Sequence, residues 1–251
     1  MSGLLLAAPL SSAAAGVQSS TGFGFALLLG PAMFAVLPAE EAVAALLVLG
    51  LELNLLVLFA ERRRPAASRE HLTPVLLASL PGLFAGALIV RSLPKATLQA
   101  ALGATILIAA GIQLAAIRDK RRATVTAAVP VSWAIGAATG LLTTATSVSG
   151  PPLVLWLHAR GLRGAQLRDS LSAAFLFLNL AGAAVVVMVA GVHEGAGHVD
   201  WLLVLVPLVA LGHLAGRLAF ERLGVRRHEL LVLACVALAG CASLVAGLTA
   251  R

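Results

Sequence analysis

The sequence predicts an all-α, polytopic membrane protein. Hydrophobic residues make up 60% of the 251 residues and charged residues only 12%, a composition well outside the range of soluble domains. Several uncharged apolar runs are long enough to cross a hydrocarbon core about 30 Å thick. The basic residues fall in short clusters between these runs, which is the positive-inside pattern. The net charge of +7 therefore reports orientation in a lipid bilayer and not nucleic-acid binding.

The first half of the chain contains five hydrophobic elements. The first two are short and are separated by a polar, glycine-rich break at residues 18–24. Because neither is long enough for a comfortable crossing, they predict a hairpin of short or broken helices. The predicted elements are residues 3–17, 25–37, 41–60, 72–90 and 96–117.

The second half repeats this plan after the strongest basic cluster in the chain, residues 118–122. We expect a first transmembrane repeat at 1–117, a cytoplasmic basic linker at 118–125 and a second transmembrane repeat at 126–251. The predicted elements of the second repeat are residues 126–146, 153–159, 167–191, 201–220 and 228–249.

A run of small hydroxyl residues followed by Ser-Gly-Pro-Pro interrupts the second repeat at residues 143–152. Ser149 suits a helix N-cap, and a proline just inside a first turn loses no needed N–H group. The stretch therefore predicts a helix that starts at membrane depth. Unpaired backbone N–H groups and the positive end of the helix dipole make such a start favourable for an anion.

Matching positions in the two halves indicate an internal duplication. Asn54 corresponds to Asn179 at an offset of 125 residues (179 − 54), and Leu93 corresponds to Leu223 at an offset of 130 (223 − 93). Five elements per half is an odd number, which inverts the second half relative to the first. We expect two inverted repeats whose broken or short helices meet near the membrane midplane, the usual place of a transporter's substrate site.

Charge patterning predicts that both chain termini lie outside the cell. This orientation leaves one basic turn outside, at residues 91–95, and we accept that exception. The cytoplasmic clusters are residues 61–64, 118–122, 160–168 and 217–227, and the outside loops are residues 38–41 and 192–200.

The motifs resemble those of the sulfite exporter family of the TauE/SafE type. The resemblance covers almost the whole chain and implies a permease of the cytoplasmic (inner) membrane for sulfite, for organosulfonates or for another small anion. The residues that carry it are Gly136, Gly140, Ser149–Pro152, Ala159–Gly161, Arg168 and Asn179, with Thr21–Ala26, Pro31 and Gly212–Leu231.

Uncharged donors suit the binding of a small oxyanion that must also leave again. The predicted substrate-binding residues lie in the two breaks and in the helices that follow them. An alternative is that the glycines and serines only let helices pack closely, and that the two asparagines hold the breaks in place. The predicted residues are Gln18, Ser20, Thr21, Gly22, Gly24, Asn54, Thr144, Thr146, Ser147, Ser149, Gly150 and Asn179.

Glu52 is the one carboxylate well inside a predicted helix, which makes it a candidate for carrying a coupling proton. The corresponding position of the second half, Phe177, has no acid, so the repeat gives this role no support. A partnered or partly hydrated carboxylate is the alternative.

These observations predict a secondary transporter that exports sulfite by alternating access, without cofactor or metal. A passive anion channel, or a permease for another small organic anion, is the nearest alternative. An intramembrane enzyme would need clustered acids with a metal, or a nucleophile with a base, and the sequence offers neither pattern. The glycine pairs Gly82/Gly86 and Gly212/Gly216 fit either packing within the bundle or a homodimer. Cys235 and Cys241 are predicted to be buried thiols.

Overall fold

The computed structural model describes residues 2–59, 65–118, 129–190, 199–222 and 225–249, and all regular secondary structure within these ranges is helical. The predicted all-α fold is therefore confirmed. The described helices are α1 (Ser2–Thr21), α2 (Phe25–Val36), α3 (Ala39–Phe59), α4 (Arg69–Ser92), α5 (Lys95–Arg118), α6 (Val129–Thr146), α7 (Gly150–Ala159), α8 (Gly164–Ala190), α9 (Val199–Arg222) and α10 (Val225–Thr249).

The helix boundaries follow the same offsets as the sequence matches. Helices α2 and α3 begin 125 residues before α7 and α8, and α4 and α5 begin 130 residues before α9 and α10. Helix α1 ends 125 residues before α6 ends. The repeat thus extends from single residues to the helices themselves, while its inversion across the membrane stays a prediction.

Four of the described helices are long and apolar enough to cross a membrane. Their lengths of 20 to 26 residues correspond to about 30 Å or more at a rise of about 1.5 Å per residue. They agree with a polytopic membrane protein. The four segments are Ala39–Phe59, Arg69–Ser92, Lys95–Leu114 and Gly164–Val189.

Each half packs one of its helices against the broken helix of the other half. Gly82 and Gly86 of α4 face the backbone of α6, where an added Cβ would collide with the carbonyl oxygens of Ala137 and Leu141. Only glycine permits two helix backbones to approach this closely.

Helices α9 and α1 form the equivalent contact on the other side. An added Cβ at Gly212 would collide with Ser12, and one at Gly216 would collide with the backbone of Gly16. The four glycines that the sequence left open between internal and intersubunit packing therefore pack inside the bundle. They fix α1 and α6, the two helices that lead into the breaks.

Helix α3 lies at the centre of the bundle and packs against α8, its counterpart in the second half. Of the four segments long enough to cross a membrane, α3 is the most buried, since 61% of its apolar stretch lies inside the protein. These two central helices carry Asn54 and Asn179. The packing of α3 on α8 therefore places each of the two equivalent amides at the contact between the two halves of the chain.

The break in the first half is shorter than expected. Helix α1 continues to Thr21, and residues 18–21, predicted to be part of the break, are helical. The hydroxyls of Ser19, Ser20 and Thr21 donate to carbonyls of the preceding turn, which is how such residues are accommodated in a helix.

The side chains of Cys235 and Cys241 are exposed, so the prediction of buried thiols is wrong: both point away from the helices that α10 packs against. Arg118 ends α5, and the rest of the predicted linker lies outside the described residues, as does most of the predicted outside loop at 192–200.

Candidate anion-binding site

The first break is a tight turn between α1 and α2. Gly22 (φ 88°) and Gly24 (φ 114°) both occupy the left-handed region, which residues with a Cβ rarely adopt. The Gly22 N–H donates to the carbonyl of Gln18 at 2.7 Å, which closes the last turn of α1. The chain then reverses and starts α2 at Phe25.

The second break has one left-handed residue where the first has two, because Ser149, the counterpart of Gly24, is right-handed (φ −89°). Ser147 has a φ of 59° and stands 125 positions after Gly22. Helix α7 begins at Gly150, with prolines in its first turn and Ser149 at the N-cap position, as the sequence predicts. The Ser149 side chain does not form a capping hydrogen bond, so its hydroxyl is not used to close the helix.

The two breaks line a single cavity of about 40 Å³. A water molecule needs roughly 10–15 Å³ measured in this way, so the space suits a ligand of a few heavy atoms. The N-termini of α2 and α7 both face it. The lining residues are Gln18, Phe23, Gly24, Phe25, Ala26, Leu27, Leu46, Gly50, Asn54, Ser147, Val148, Ser149, Gly150, Phe175 and Asn179.

Seven of the twelve residues predicted to bind substrate lie at this cavity, although they come from four separate segments of the chain. Their role in binding stays a prediction, but their convergence gives it a geometric basis. The seven are Gln18, Gly24, Asn54, Ser147, Ser149, Gly150 and Asn179.

The other five predicted residues are not among the lining residues. Gly22 packs against Arg168, where an added Cβ would lie 3.2 Å from the Arg168 Cα. The remaining four have hydroxyls directed at helix carbonyls: Ser20 and Thr21 toward Val17, Thr144 toward Leu83, and Thr146 toward Leu142.

Gln18 organises the first break. Its amide nitrogen donates to the Asn54 Oδ1 atom at 3.0 Å, and its Oε1 atom accepts the Phe25 N–H at 3.2 Å. Asn54 in turn donates to the Gly50 carbonyl at 2.6 Å. This chain of hydrogen bonds joins α1, α2 and α3, and it satisfies the first N–H group of α2 without a ligand.

The lining residues provide neutral hydrogen-bond donors and apolar walls. None of the fifteen lining residues has a charged side chain. The favourable potential for an anion comes instead from the two helix N-termini, each equivalent to about half a positive charge. Such a site binds an anion without the strong trapping of a direct ion pair.

The sequence did not single out Gly50 and Phe175. Gly50 lies one helical turn before Asn54 on α3, and Phe175 lies one turn before Asn179 on α8. Residues four apart share a helix face, so projecting one turn back from each asparagine would have found both. The aromatic wall from Phe23 and Phe25 had no comparable signal, because it depends on how the break folds.

Glu52 is not among the lining residues. On α3 it stands two positions from both Gly50 and Asn54, which is about 200° around the helix. Its Oε2 atom is buried and has no hydrogen-bond partner in the described residues. A role in proton coupling stays a prediction, and any such role would act from another face of α3.

His213 of α9 makes a second polar contact to α1. Its Nδ1 atom lies 2.7 Å from the Ser19 hydroxyl, and the side chain is 5% exposed. The contact joins the last turn of α1 to the helix that packs along it, so it supports the position of the first break.

The comparison with known families agrees with this geometry. A model described as Sulfite exporter TauE/SafE matches residues 7–243. The chain belongs to this family. The TauE/SafE match includes both breaks and both central asparagines, and with the apolar helices it identifies a multi-pass membrane protein of a transport family. No match was found among curated proteins or among solved structures.

Proposed function

We propose that this TauE/SafE protein is a secondary transporter that exports a small sulfur-containing anion, sulfite first of all, across the cytoplasmic membrane by alternating access. Family membership supports transport of such an anion. The proposal assigns the cavity between the two breaks as the substrate site and α1–α2 and α6–α7 as the elements that surround it.

The observation that carries this proposal is the meeting of the two breaks at one cavity. Each break ends one helix and starts another inside an apolar bundle, so a helix N-terminus with its N–H groups and dipole lies there. Irregular backbone at this depth is tolerated only where it faces protein or a cavity, because it would be costly in contact with lipid. Interrupted helices at matching places in two repeats are the usual framework of a transporter site. The cavity, at about 40 Å³, supports a substrate no larger than a small oxyanion.

Alternating access is supported by the way the halves exchange helices. Helix α4 packs on α6 and α9 packs on α1, so each break is held by the other repeat. If the repeats are inverted, opening the contact of one pair exposes the cavity to one side of the membrane. Opening the other pair exposes it to the other side.

The test is sulfite flux in proteoliposomes containing the purified protein, with protein-free liposomes as the control. We expect the initial rate to saturate with sulfite concentration, and sulfite inside the vesicles to accelerate labelled sulfite uptake from outside. Saturation with counterflow identifies a carrier, whereas a linear rate without counterflow identifies a passive channel. If another small anion is transported in place of sulfite, the assignment of the cavity as the substrate site stands and only the identity of the substrate changes.

A homodimer is a further proposal with less support. The glycine faces that would serve it are used inside the bundle, so a dimer would have to use other apolar surfaces. The mass of the protein in detergent, measured by light scattering, distinguishes one copy from two.

A further inference from the structure

The two halves of the cavity differ in how many of their polar side chains already form hydrogen bonds within the protein. In the first half, Gln18 and Asn54 bond to each other, and they also bond to the backbone at Phe25 and Gly50. Gln18 is 5% exposed and Asn54 is 1% exposed. Both oxygens and one donor of each amide are therefore engaged within the protein before any ligand arrives.

Among its described residues, the second half has no such network. The counterpart of Gln18 is Thr143, whose hydroxyl donates to the Thr139 carbonyl within its own helix. Ser149 is 5% exposed, lines the cavity and lacks a side-chain cap bond. The side-chain amide of Asn179, the counterpart of Asn54, forms no hydrogen bond within the part of the chain that the structure describes.

The shape of the cavity follows the same asymmetry. An added Cβ at Gly50 would stand 2.5 Å from the Asn179 Nδ2 atom, so the missing side chain of Gly50 makes the space that the amide occupies. Phe23 and Phe175 lie against Gly150, at 3.5 Å and 3.7 Å from the position of an added Cβ. The start of α7 is thus enclosed by two aromatic rings, with the amide of Asn179 beside the same cavity.

We propose that the second half alone supplies the direct hydrogen-bond partners of the anion, namely Ser149, Gly150 and Asn179. Gln18 and Asn54 are positioning residues that hold the first break. The physical reason is that donors without an internal partner bind a ligand at no loss of existing hydrogen bonds, whereas donors in a network must first give one up. This inference rests on the proposed transport function and names the half of the cavity that performs it.

The repeat supplies a matched pair of variants, Asn179→Ala and Asn54→Ala. We expect Asn179→Ala to raise the KM for sulfite about tenfold or more, because a hydrogen bond to a charged ligand is lost. We expect Asn54→Ala, which removes a positioning residue, to raise the KM clearly less than Asn179→Ala does and to lower the unfolding temperature. At a fixed sulfite concentration, the rise in unfolding temperature on adding sulfite should be much smaller in Asn179→Ala than in Asn54→Ala.

Two further variants distinguish a loss of anion binding from misfolding of the Asn179→Ala protein. Asn179→Asp keeps the size of the side chain and replaces its donor with a carboxylate that repels an anion, so it should raise the KM at least as much as Asn179→Ala. Gly50→Ala pushes against the Asn179 amide and should raise the KM. Gly30→Ala is its control, because an added Cβ there has only ordinary contacts at 3.6 Å or more.

The outcomes separate this inference from the function on which it rests. If the wild type shows saturable uptake and Asn54→Ala raises the KM as much as Asn179→Ala, the anion is shared by both halves and the inference is overturned. An unchanged KM in Asn179→Ala overturns it as well. If the wild type shows no saturable uptake and no thermal shift with sulfite or a small sulfonate, the transport function itself is wrong, and the inference falls with it.

Discussion

Gln18 joins the first break to the central helix α3 through two hydrogen bonds. It is the only side chain in the described structure that bonds both to a central asparagine and to the first N–H of a half-helix. Gln18→Ala leaves the buried Phe25 N–H without an acceptor, and an unsatisfied buried donor costs about 1–3 kcal/mol. We expect a loss of that order in the free energy of unfolding, measured by thermal or chemical unfolding in detergent.

Thr143→Val is the matched control for Gln18→Ala. Thr143 stands at the equivalent position, is 1% exposed, and bonds only to a carbonyl of its own helix. Valine preserves its shape, so we expect a change of less than about 1 kcal/mol. Equal losses in the two variants would contradict a special role for Gln18.

Glu52 provides a second prediction at the residue scale. The neighbours that share its face of α3, Val48 and Leu55, are 40% and 41% exposed, so this face is directed away from the cavity. Glu52→Gln should therefore leave the KM for sulfite unchanged while removing the dependence of flux on a pH gradient. Flux is measured in proteoliposomes with and without the gradient.

Glu40→Gln makes the same charge change in the first turn of α3 and serves as the control. It should not alter the response to the gradient. If Glu52→Gln also retains the full response, Glu52 does not carry the coupling proton and the intramembrane acid is a structural residue.

At the scale of elements, the breaks depend on backbone conformation more than on side chains. Gly22→Ala places a Cβ at a φ of 88° and 3.2 Å from the Arg168 Cα. The left-handed conformation alone costs about 1–2 kcal/mol for a residue with a Cβ. We expect this loss in stability together with a reduced transport rate, because the tight contact with α8 shifts the turn that borders the cavity.

Gly161→Ala separates the effect of backbone strain from the effect of the tight contact with α8. Gly161 has a similar φ of 84°, but nothing lies within 4 Å of an added Cβ. It should lose a comparable amount of stability and keep the wild-type transport rate. A Gly22→Ala protein that transports at the wild-type rate would show that the position of the first break is not critical.

Most helix positions could be predicted from apolar runs and breaks, because lipid-spanning helices need long uninterrupted apolar segments. The start of α7 after the hydroxyl run was predicted, and its first turn holds the expected prolines, but the Ser149 side chain forms no capping hydrogen bond. The end of α1 was not, because Ser19, Ser20 and Thr21 can favour either a turn or a helix. In the folded chain their hydroxyls donate hydrogen bonds to carbonyls of α1, which places all three residues in the helix.

At the scale of the whole molecule, the offsets of 125 and 130 residues were readable from the sequence, and the helix boundaries repeat them. Which helix packs against which was not readable, because the close contacts of α4 with α6 and of α9 with α1 join distant parts of the chain. The candidate site shows the same limit. Its polar residues were found by type and spacing, whereas the Gln18 network and the room made by Gly50 depend on tertiary contacts.

The uncharged lining of the cavity leads to a prediction about the charge of the substrate. The cost of moving an ion from water into a protein interior rises with the square of its charge, and two helix N-termini offer about half a charge each. Together they offset a single negative charge and leave a second one uncompensated. Hydrogensulfite, the singly charged form of sulfite, therefore fits this cavity better than a doubly charged oxyanion.

Competition measures this preference directly. We expect methanesulfonate, which carries one charge, to inhibit sulfite uptake into proteoliposomes at concentrations where sulfate, of similar size and two charges, has little effect. Ionic strength is held constant with a bulky salt, so that screening is equal in both assays. Equal inhibition by sulfate would mean that a positive side chain reaches the anion during transport. Arg168 is a cationic residue that packs against Gly22 in the first break, and Arg168→Gln would then be the variant that restores the preference for a single charge.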